Sequence, residues 1–193
     1  MKDRIPVLID TDLGDDIDDA FALCLAMRSP EIRVLGVTTV FRCAKYRAKM
    51  AKALGALTNV AKVLQARPDL FGKIEKLCIM GGSYSMNWGE YNFCCDPKAA
   101  SIVMGSGLPM QCVGVDITFQ CKLSGQLLEE VVKHPHPCLQ MLNRMRKKWA
   151  GEVFLHDPLA LICSFNDSFI TWQPMICAVE SDAEYANGYV VKL

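Results

Sequence analysis

Hydrophobic positions along this chain form short apolar runs that alternate with longer stretches of helical spacing. Residues 5–9 and 32–40 are two such runs, rich in β-branched side chains and nearly continuous, as is typical of buried strands in a parallel sheet. Between them the chain has helical composition to about Met27, and Ser29-Pro30 ends that helix. Strand, helix and strand in this order predict a right-handed βαβ unit.

The same alternation continues to the end of the chain. Further apolar runs predict strands at residues 76–80, 110–115, 175–179 and 189–193. Helical patterns follow residue 46, residue 60, Asp96-Pro97, Ser124, residue 138 and Asp157-Pro158. This order predicts an α/β fold with a mostly parallel, Rossmann-like sheet flanked by helices.

Composition narrows the class of protein. A chain of 193 residues with 51% hydrophobic content is expected to form one domain, residues 1–193, with a substantial core. The 21 basic and 21 acidic side chains balance, so we expect no general attraction to nucleic acid or to an anionic membrane. The N-terminus does not resemble a signal peptide, and no apolar stretch is long enough to span a bilayer. The ten cysteines are scattered without a CxxC pair, which favours reduced thiols and a cytoplasmic location.

A dense acidic cluster follows the first predicted strand. Six carboxylates lie within ten residues: Asp10, Asp12, Asp15, Asp16, Asp18 and Asp19. Such crowded carboxylates repel one another unless a cation neutralises them, and oxygen ligands suit Ca²⁺ or Mg²⁺ better than zinc. The alternative is a solvated acidic turn that caps a helix, but one or two aspartates would suffice for that purpose.

Other polar segments also lie where predicted strands end or helices begin. They are residues 87–92, Asp116 and His156-Asp157. Because the carboxyl ends of parallel strands meet at one edge of a sheet, acidic, amide and imidazole groups could line one pocket there. Taken singly, Asp157 could be only an N-cap and His156 only a structural histidine.

Several motifs in order resemble the inosine–uridine-preferring nucleoside hydrolase family. They are Asp10-Thr11-Asp12-x-Gly14, Asp18-Asp19, Met80-Gly81-Gly82, Glu90-Tyr91-Asn92, Asp96-Pro97-x-Ala99-Ala100 and His156-Asp157-Pro158. The resemblance implies the nucleoside hydrolase fold and hydrolysis of the N-glycosidic bond of ribonucleosides to free base and ribose. It also implies a bound Ca²⁺ that orients and activates the attacking water. A nearby pool of negative charge suits the oxocarbenium-like transition state of such a reaction.

The resemblance also implies a role for individual residues. Asp12 would be the general base, and His156 would protonate or hydrogen-bond the departing base. The implied metal ligands are Asp10, Asp12, Asp19, the backbone carbonyl of Leu54, and Asp157. The implied ribose contacts are Asp18, Asn87, Glu90 and Asn92.

The chain departs from the family pattern at four places. Asp15-Asp16-Ile17 stands where one residue is usual, so Asp15 or Asp16 could replace Asp18 or Asp19 in the site. Arg42-Cys43 stands where Gly-Asn is usual. An internal segment is missing near residues 45–54, and the chain ends before the family's C-terminal strands and helix. A sheet that lacks a central strand has unpaired edges, which would favour homo-oligomers.

Two other functions remain open from the sequence. A shortened family member could be catalytically impaired and act at most as a binding protein. A strand followed by Asp10-x-Asp12 also resembles the opening of haloacid-dehalogenase-type phosphohydrolases, although Gly14 stands where those enzymes carry Thr or Val.

Overall fold

The computed structural model describes residues 4–13, 16–39 and 57–193. The strands in this part of the chain are β1 (Ile5–Thr11), β2 (Ile32–Thr39), β3 (Leu77–Met80), β4 (Met110–Val113), β5 (Cys177–Val179) and β6 (Val190–Lys192). Each lies on an apolar run that the sequence predicts as a strand. The predicted helix at 46–54, Leu54, Asp15 and Arg42-Cys43 lie outside the described residues.

Most of these strands pair in parallel. β1 pairs with β2 and β3 pairs with β4, both in parallel, whereas β5 and β6 are antiparallel. The sequence predicts one sheet, but the described strands form three separate two-stranded ladders. A single sheet would need a further strand to join the β1–β2 pair to the β3–β4 pair, and no described residue supplies one.

Helices connect and cover these strands. They are α1 (Asp18–Arg28), α2 (Thr58–Ala66), α3 (Tyr91–Cys95), α4 (Pro97–Met104), α5 (Val115–Thr118), α6 (Gly125–Lys133), α7 (Pro137–Arg146) and α8 (His156–Phe165). Short 3₁₀ helices span Pro68–Lys73 and Asp167–Phe169. α8 packs on both β3 and β4, and α1 packs against α8. None of the described helices is long and apolar enough to cross a membrane.

The two Asp-Pro dipeptides have different roles at their helices. Asp96 is the N-cap of α4 as predicted, because its side chain accepts a hydrogen bond from the Ala99 backbone N–H at 3.0 Å. The prediction that Asp157 is an N-cap is wrong, since α8 begins one residue earlier, at His156, with Leu155 as its N-cap. The backbone N–H of Asp157 instead donates to a side chain of α1, Asp18, so a distant carboxylate satisfies this helix end.

The first turn of α2 contains two residue types that often cap helices, Thr58 and Asn59, but its N-cap residue is Leu57. The Thr58 hydroxyl donates to the Asp96 carboxylate at 2.6 Å, and the Asn59 amide donates to the Asp10 carboxylate at 3.0 Å. Both side chains therefore tie α2 to neighbouring elements rather than to its own backbone.

The largest core cluster lies between α2, α4 and β3. Phe93 is fully buried at its centre, beside Val103 and Ile79. A Cβ on Gly81 would lie 2.6 Å from the Phe93 ring, so the close approach of the ring to the backbone requires glycine there. Smaller clusters join α8 to β4 and join the residues before α1 to the segments flanking α6 and α7.

We predict that Phe93→Ala lowers the free energy of unfolding by about 3–5 kcal/mol, because it leaves a cavity in this core. Urea unfolding monitored by circular dichroism measures the change. Phe169→Ala is the matched control, since Phe169 is 61% exposed and its removal should change stability little. Equal losses in the two variants would contradict the placement of Phe93 at the centre of the core.

Candidate metal and nucleoside site

Three carboxylates from distant parts of the chain meet at the carboxyl end of β1. Asp12 follows β1, Asp19 lies in the first turn of α1, and Asp157 lies in the first turn of α8. One oxygen from each lies within 4.8 Å of the other two. We call these three residues the carboxylate cluster. Two oxygens that bind one Ca²⁺ can be at most about 5 Å apart, so this spacing fits a single cation.

Asp19 is the most deeply placed member of the carboxylate cluster. It is only 1% exposed, and the Thr11 hydroxyl donates a hydrogen bond to its Oδ1. Thr11 is the last residue of β1, so this bond joins the end of the strand to the start of α1. A charge so deeply buried is costly without compensation, and a bound cation would provide compensation in addition to the Thr11 hydroxyl.

The pKa of Asp157 shows that the carboxylates of the cluster repel one another. Burial raises its pKa well above the usual range, and the neighbouring charges of Asp18, Asp19 and Asp12 raise it further. Groups with like charge in a buried site disfavour one another's ionised forms. A divalent cation among these oxygens would reverse that balance and favour the ionised forms.

Asp18 lies beside the carboxylate cluster but has a different partner. Its Oδ2 accepts a hydrogen bond from the backbone N–H of Asp157 at 3.0 Å, and the residue is 4% exposed. Burial, with smaller contributions from the charges of Asp16 and Asp19, raises its pKa to about 7. One of its oxygens is thus committed to the N-terminus of α8, and its role in binding ribose stays a prediction.

Asp10 lies outside the carboxylate cluster. Its Oδ1 accepts hydrogen bonds from the Thr38 hydroxyl at 2.6 Å and the Asn59 amide at 3.0 Å. Its Oδ2 is buried and has no hydrogen-bond partner among the described residues. Burial raises the pKa of Asp10, and the two hydrogen bonds oppose that shift. An unpartnered buried carboxylate oxygen is consistent with the predicted role as a metal ligand, which stays a prediction.

Glu90 is buried and accepts three backbone hydrogen bonds. Its Oε2 accepts from the N–H groups of Gly82 at 2.9 Å and Phe93 at 3.1 Å, and its Oε1 accepts from Asn92 at 2.8 Å. It is therefore the N-cap of α3 and also closes the glycine turn after β3. Burial raises its pKa, and these three N–H groups oppose the shift.

The two asparagines predicted to bind ribose differ in environment. The Asn92 amide donates to the Met80 carbonyl at the end of β3, at 3.1 Å. Asn87 is exposed on the loop between β3 and α3. Thus Asn92 lies at a strand end, as predicted, whereas Asn87 lies further out on the loop.

His156 lies at the start of α8 within a group of aromatic rings. Its ring centroid lies 5.6 Å from that of Phe119 and 5.7 Å from that of Phe154, and Trp88 lies 5.4 Å from Phe119. The Nδ1 atom is 2.5 Å from the Thr118 hydroxyl. The imidazole therefore lies against the aromatic rings of Phe119 and Phe154 and has the Thr118 hydroxyl as its polar partner.

Burial lowers the pKa of His156, and the charge of Asp16 partly opposes that shift. Because His156 precedes Asp157 directly, the imidazole and the carboxylate cluster share the first turn of α8. Thr118, Phe119 and Phe154 are not singled out by the sequence analysis. Their only signal is position, since Thr118 and Phe119 follow Asp116 at the end of a predicted strand and Phe154 precedes His156.

The family model for inosine–uridine preferring nucleoside hydrolases matches residues 44–192. The chain belongs to this family. The family resemblance read from the sequence is thereby confirmed, and the haloacid-dehalogenase alternative loses its support. The matched range begins after the acidic cluster of residues 10–19, so the match rests on the later segments, including Glu90-Tyr91-Asn92 and His156-Asp157-Pro158.

The curated relatives that this chain matches are named as ribonucleoside hydrolases. The pyrimidine-specific ribonucleoside hydrolase RihA of Shewanella sp. (strain MR-7) is 32% identical over 152 residues, covering 71% of this chain and 48% of that protein. RihA of Enterobacter sp. (strain 638) is 31% identical over 153 residues, covering 72% of this chain and 49% of that protein. The chain thus spans about half the length of these relatives.

Solved nucleoside hydrolase structures share the fold. The plant nucleoside hydrolase PpNRh1 superposes with a TM-score of 0.79 at 20% identity, covering 99% of this chain and 87% of that one. An inosine-guanosine nucleoside hydrolase superposes with a TM-score of 0.79 at 19% identity, covering 99% and 88%. The superposition includes almost the whole chain, which confirms the predicted α/β nucleoside hydrolase fold.

We predict that Glu90→Ala lowers the free energy of unfolding by about 2 kcal/mol or more, because three backbone N–H groups lose their acceptor. Chemical unfolding measures the change. Glu129→Ala is the control, because Glu129 pairs with Lys133 on an exposed face of α6 and contributes little. A Glu90→Ala protein as stable as its control would contradict the role of this carboxylate as the acceptor for these N–H groups.

Proposed function

We propose that this chain hydrolyses the N-glycosidic bond of ribonucleosides to free base and ribose with the help of Ca²⁺. The observation that supports this most is the meeting of Asp12, Asp19 and Asp157 within 4.8 Å, with His156 next to Asp157 in the first turn of α8. Family membership and relatives named ribonucleoside hydrolases support the same reaction.

The residues present fit Ca²⁺. All the side-chain donors in the carboxylate cluster are hard oxygens, and the predicted ligand Asp10 has a buried oxygen with no partner among the described residues. Asp12, Asp19 and Asp157 would hold the ion, and Asp10 is a predicted further ligand. When bound, Ca²⁺ would lower the pKa of water and orient it together with the ribose hydroxyls.

Different side chains of the protein serve the attacking water, the sugar and the departing base. Asp12 accepts a proton from the water that attacks C1′ of the ribose, as a general base does. The negative charges of the carboxylate cluster favour the positive charge that develops on the sugar. His156 donates a proton or a hydrogen bond to the nitrogen of the departing base, and the rings around it exclude water from that step.

The ribose contacts are also part of this proposal. Asp18 lies beside the carboxylate cluster, and Asn92 lies at the end of β3, which supports their contact with one sugar. Glu90 and Asn87 are proposed as further contacts. The substrate class is small nucleosides, and purine or pyrimidine preference is left to the assay.

A second candidate is a catalytically impaired homologue that only binds a nucleoside. The pKa of Asp157, which burial and the neighbouring carboxylates raise, favours this candidate for the chain without a bound cation. The proposal also includes a cytoplasmic location, which the free thiols of the nine described cysteines support.

Self-association through unpaired strand edges is a further expectation.

We predict that the purified chain releases free base from inosine or uridine in the presence of Ca²⁺, and that Asp12→Asn lowers kcat about 100-fold or more. Chromatography of the released base measures turnover. Asp69→Asn is the matched control, because Asp69 is exposed and pairs with Arg67 outside the site. A folded wild-type chain with no turnover would contradict the enzyme proposal, and nucleoside binding without turnover would favour the impaired homologue.

We predict that saturating Ca²⁺ raises the midpoint of thermal unfolding by about 5 °C or more, because an ion that binds only the folded chain stabilises it. A chelator should reverse the rise. Asp19→Asn and Asp157→Asn should each abolish most of it, while Asp69→Asn should retain it. An equal rise in all variants would indicate binding elsewhere on the protein.

A further inference from the structure

We propose that Thr118 is a positioning residue that keeps the neutral His156 ring with its proton on Nε2. The inference rests on the proposed function, because it concerns the group that serves the departing base. The Thr118 hydroxyl lies 2.5 Å from Nδ1 of His156, and Thr118 is completely buried. No other hydrogen bond to this imidazole is found among the described residues.

The partners of the hydroxyl hydrogen favour one direction for this bond. If Nδ1 donated to Thr118, the hydroxyl hydrogen would have only the long contact to the Val115 carbonyl, at 3.4 Å. That carbonyl already accepts the backbone N–H of Phe119 at 3.0 Å, and Thr118 is completely buried, so no solvent would bond the hydrogen instead. Donation from Thr118 to Nδ1 over 2.5 Å gives the hydrogen a short bond, and we take this direction.

The tautomer of a neutral histidine follows from this direction. If Nδ1 accepts, the single ring proton must be on Nε2, because a neutral imidazole has one donor and one acceptor nitrogen. Nε2 is then a donor and can hydrogen-bond the nitrogen of the departing base. With the proton on Nδ1, Nε2 would present a lone pair to that nitrogen and would repel it.

Thr118 can determine which nitrogen of His156 carries the proton, because the rings around the imidazole offer no competing hydrogen bond. Phe119 and Phe154 contact the imidazole edge-on and at a tilt, and neither offers a hydrogen-bonding group. Thr118 lies in α5 and His156 in α8, so the bond joins two separate elements. Removing the hydroxyl would leave Nδ1 buried without a partner, and the proton could then move to either nitrogen.

The tautomer can be read without any enzymatic activity. In protein labelled with ¹⁵N-histidine, at a pH well above the ordinary imidazole pKa of about 6.5, the two ring nitrogens give separate resonances. His156→Gln identifies the His156 signals among those of His134 and His136. We expect Nε2 to carry the proton in the wild type and in Thr118→Ser, and a mixture of tautomers in Thr118→Val. A proton on Nδ1 in the wild type, or no change in Thr118→Val, would overturn the proposal.

Kinetics provide the second test. Thr118→Val should lower kcat for a nucleoside about 10-fold or more with little change in KM, because the effect is on the departing base. It should leave cleavage of a p-nitrophenyl riboside nearly unchanged, since nitrophenolate departs without a proton. Thr118→Ser should retain most of the nucleoside activity.

Equal losses on both substrates would indicate a general structural defect and would overturn the positioning role. Thermal unfolding of each variant checks that it is folded. Absence of nucleoside turnover in the wild type would contradict the proposed function, whereas the tautomer measurement would still decide the role of Thr118.

Discussion

One hydrogen bond brings the two halves of the candidate site together. The backbone N–H of Asp157 donates to the carboxylate of Asp18, which lies 139 positions earlier in the chain. This contact joins the N-termini of α1 and α8, and each of these helices contributes a member of the carboxylate cluster. The arrangement is favourable because exposed N–H groups at a helix start attract negative charge. Asp19 and Asp157 each lie next to a partner in this bond, so the bond fixes their neighbours to one another.

The same bond explains why the acidic residues cannot be treated as equivalent. Asp18 and Asp19 are adjacent in sequence, yet one completes a helix end and the other faces the carboxylate cluster. Successive residues in a helix point about 100° apart, so neighbouring carboxylates reach different partners. In this chain the Asp18-Asp19 pair therefore contains a residue that bonds the start of α8 and a candidate metal ligand.

Much of the fold could be predicted from the sequence. Apolar runs located every described strand to within a few residues, because β-branched and other apolar side chains favour extended backbone. The prediction that the first two strands are buried is wrong for the described residues, since most positions of β1 and β2 are exposed or half-buried. The start of α4 was predicted from Asp96 because that cap uses local contacts alone. The start of α8 was not, because its acceptor comes from a distant helix. Local patterns cannot indicate such partners, and for the same reason Thr118 and Asn59 were missed.

Asp10 has a consequence for how the elements around β1 depend on one another. Thr38 and Asn59 both donate to the same oxygen of Asp10, so one atom near the end of β1 contacts both β2 and the start of α2. Replacing this one carboxylate would remove both contacts at once. Two elements far apart in the sequence therefore depend on a single side chain for their hydrogen bonds to β1.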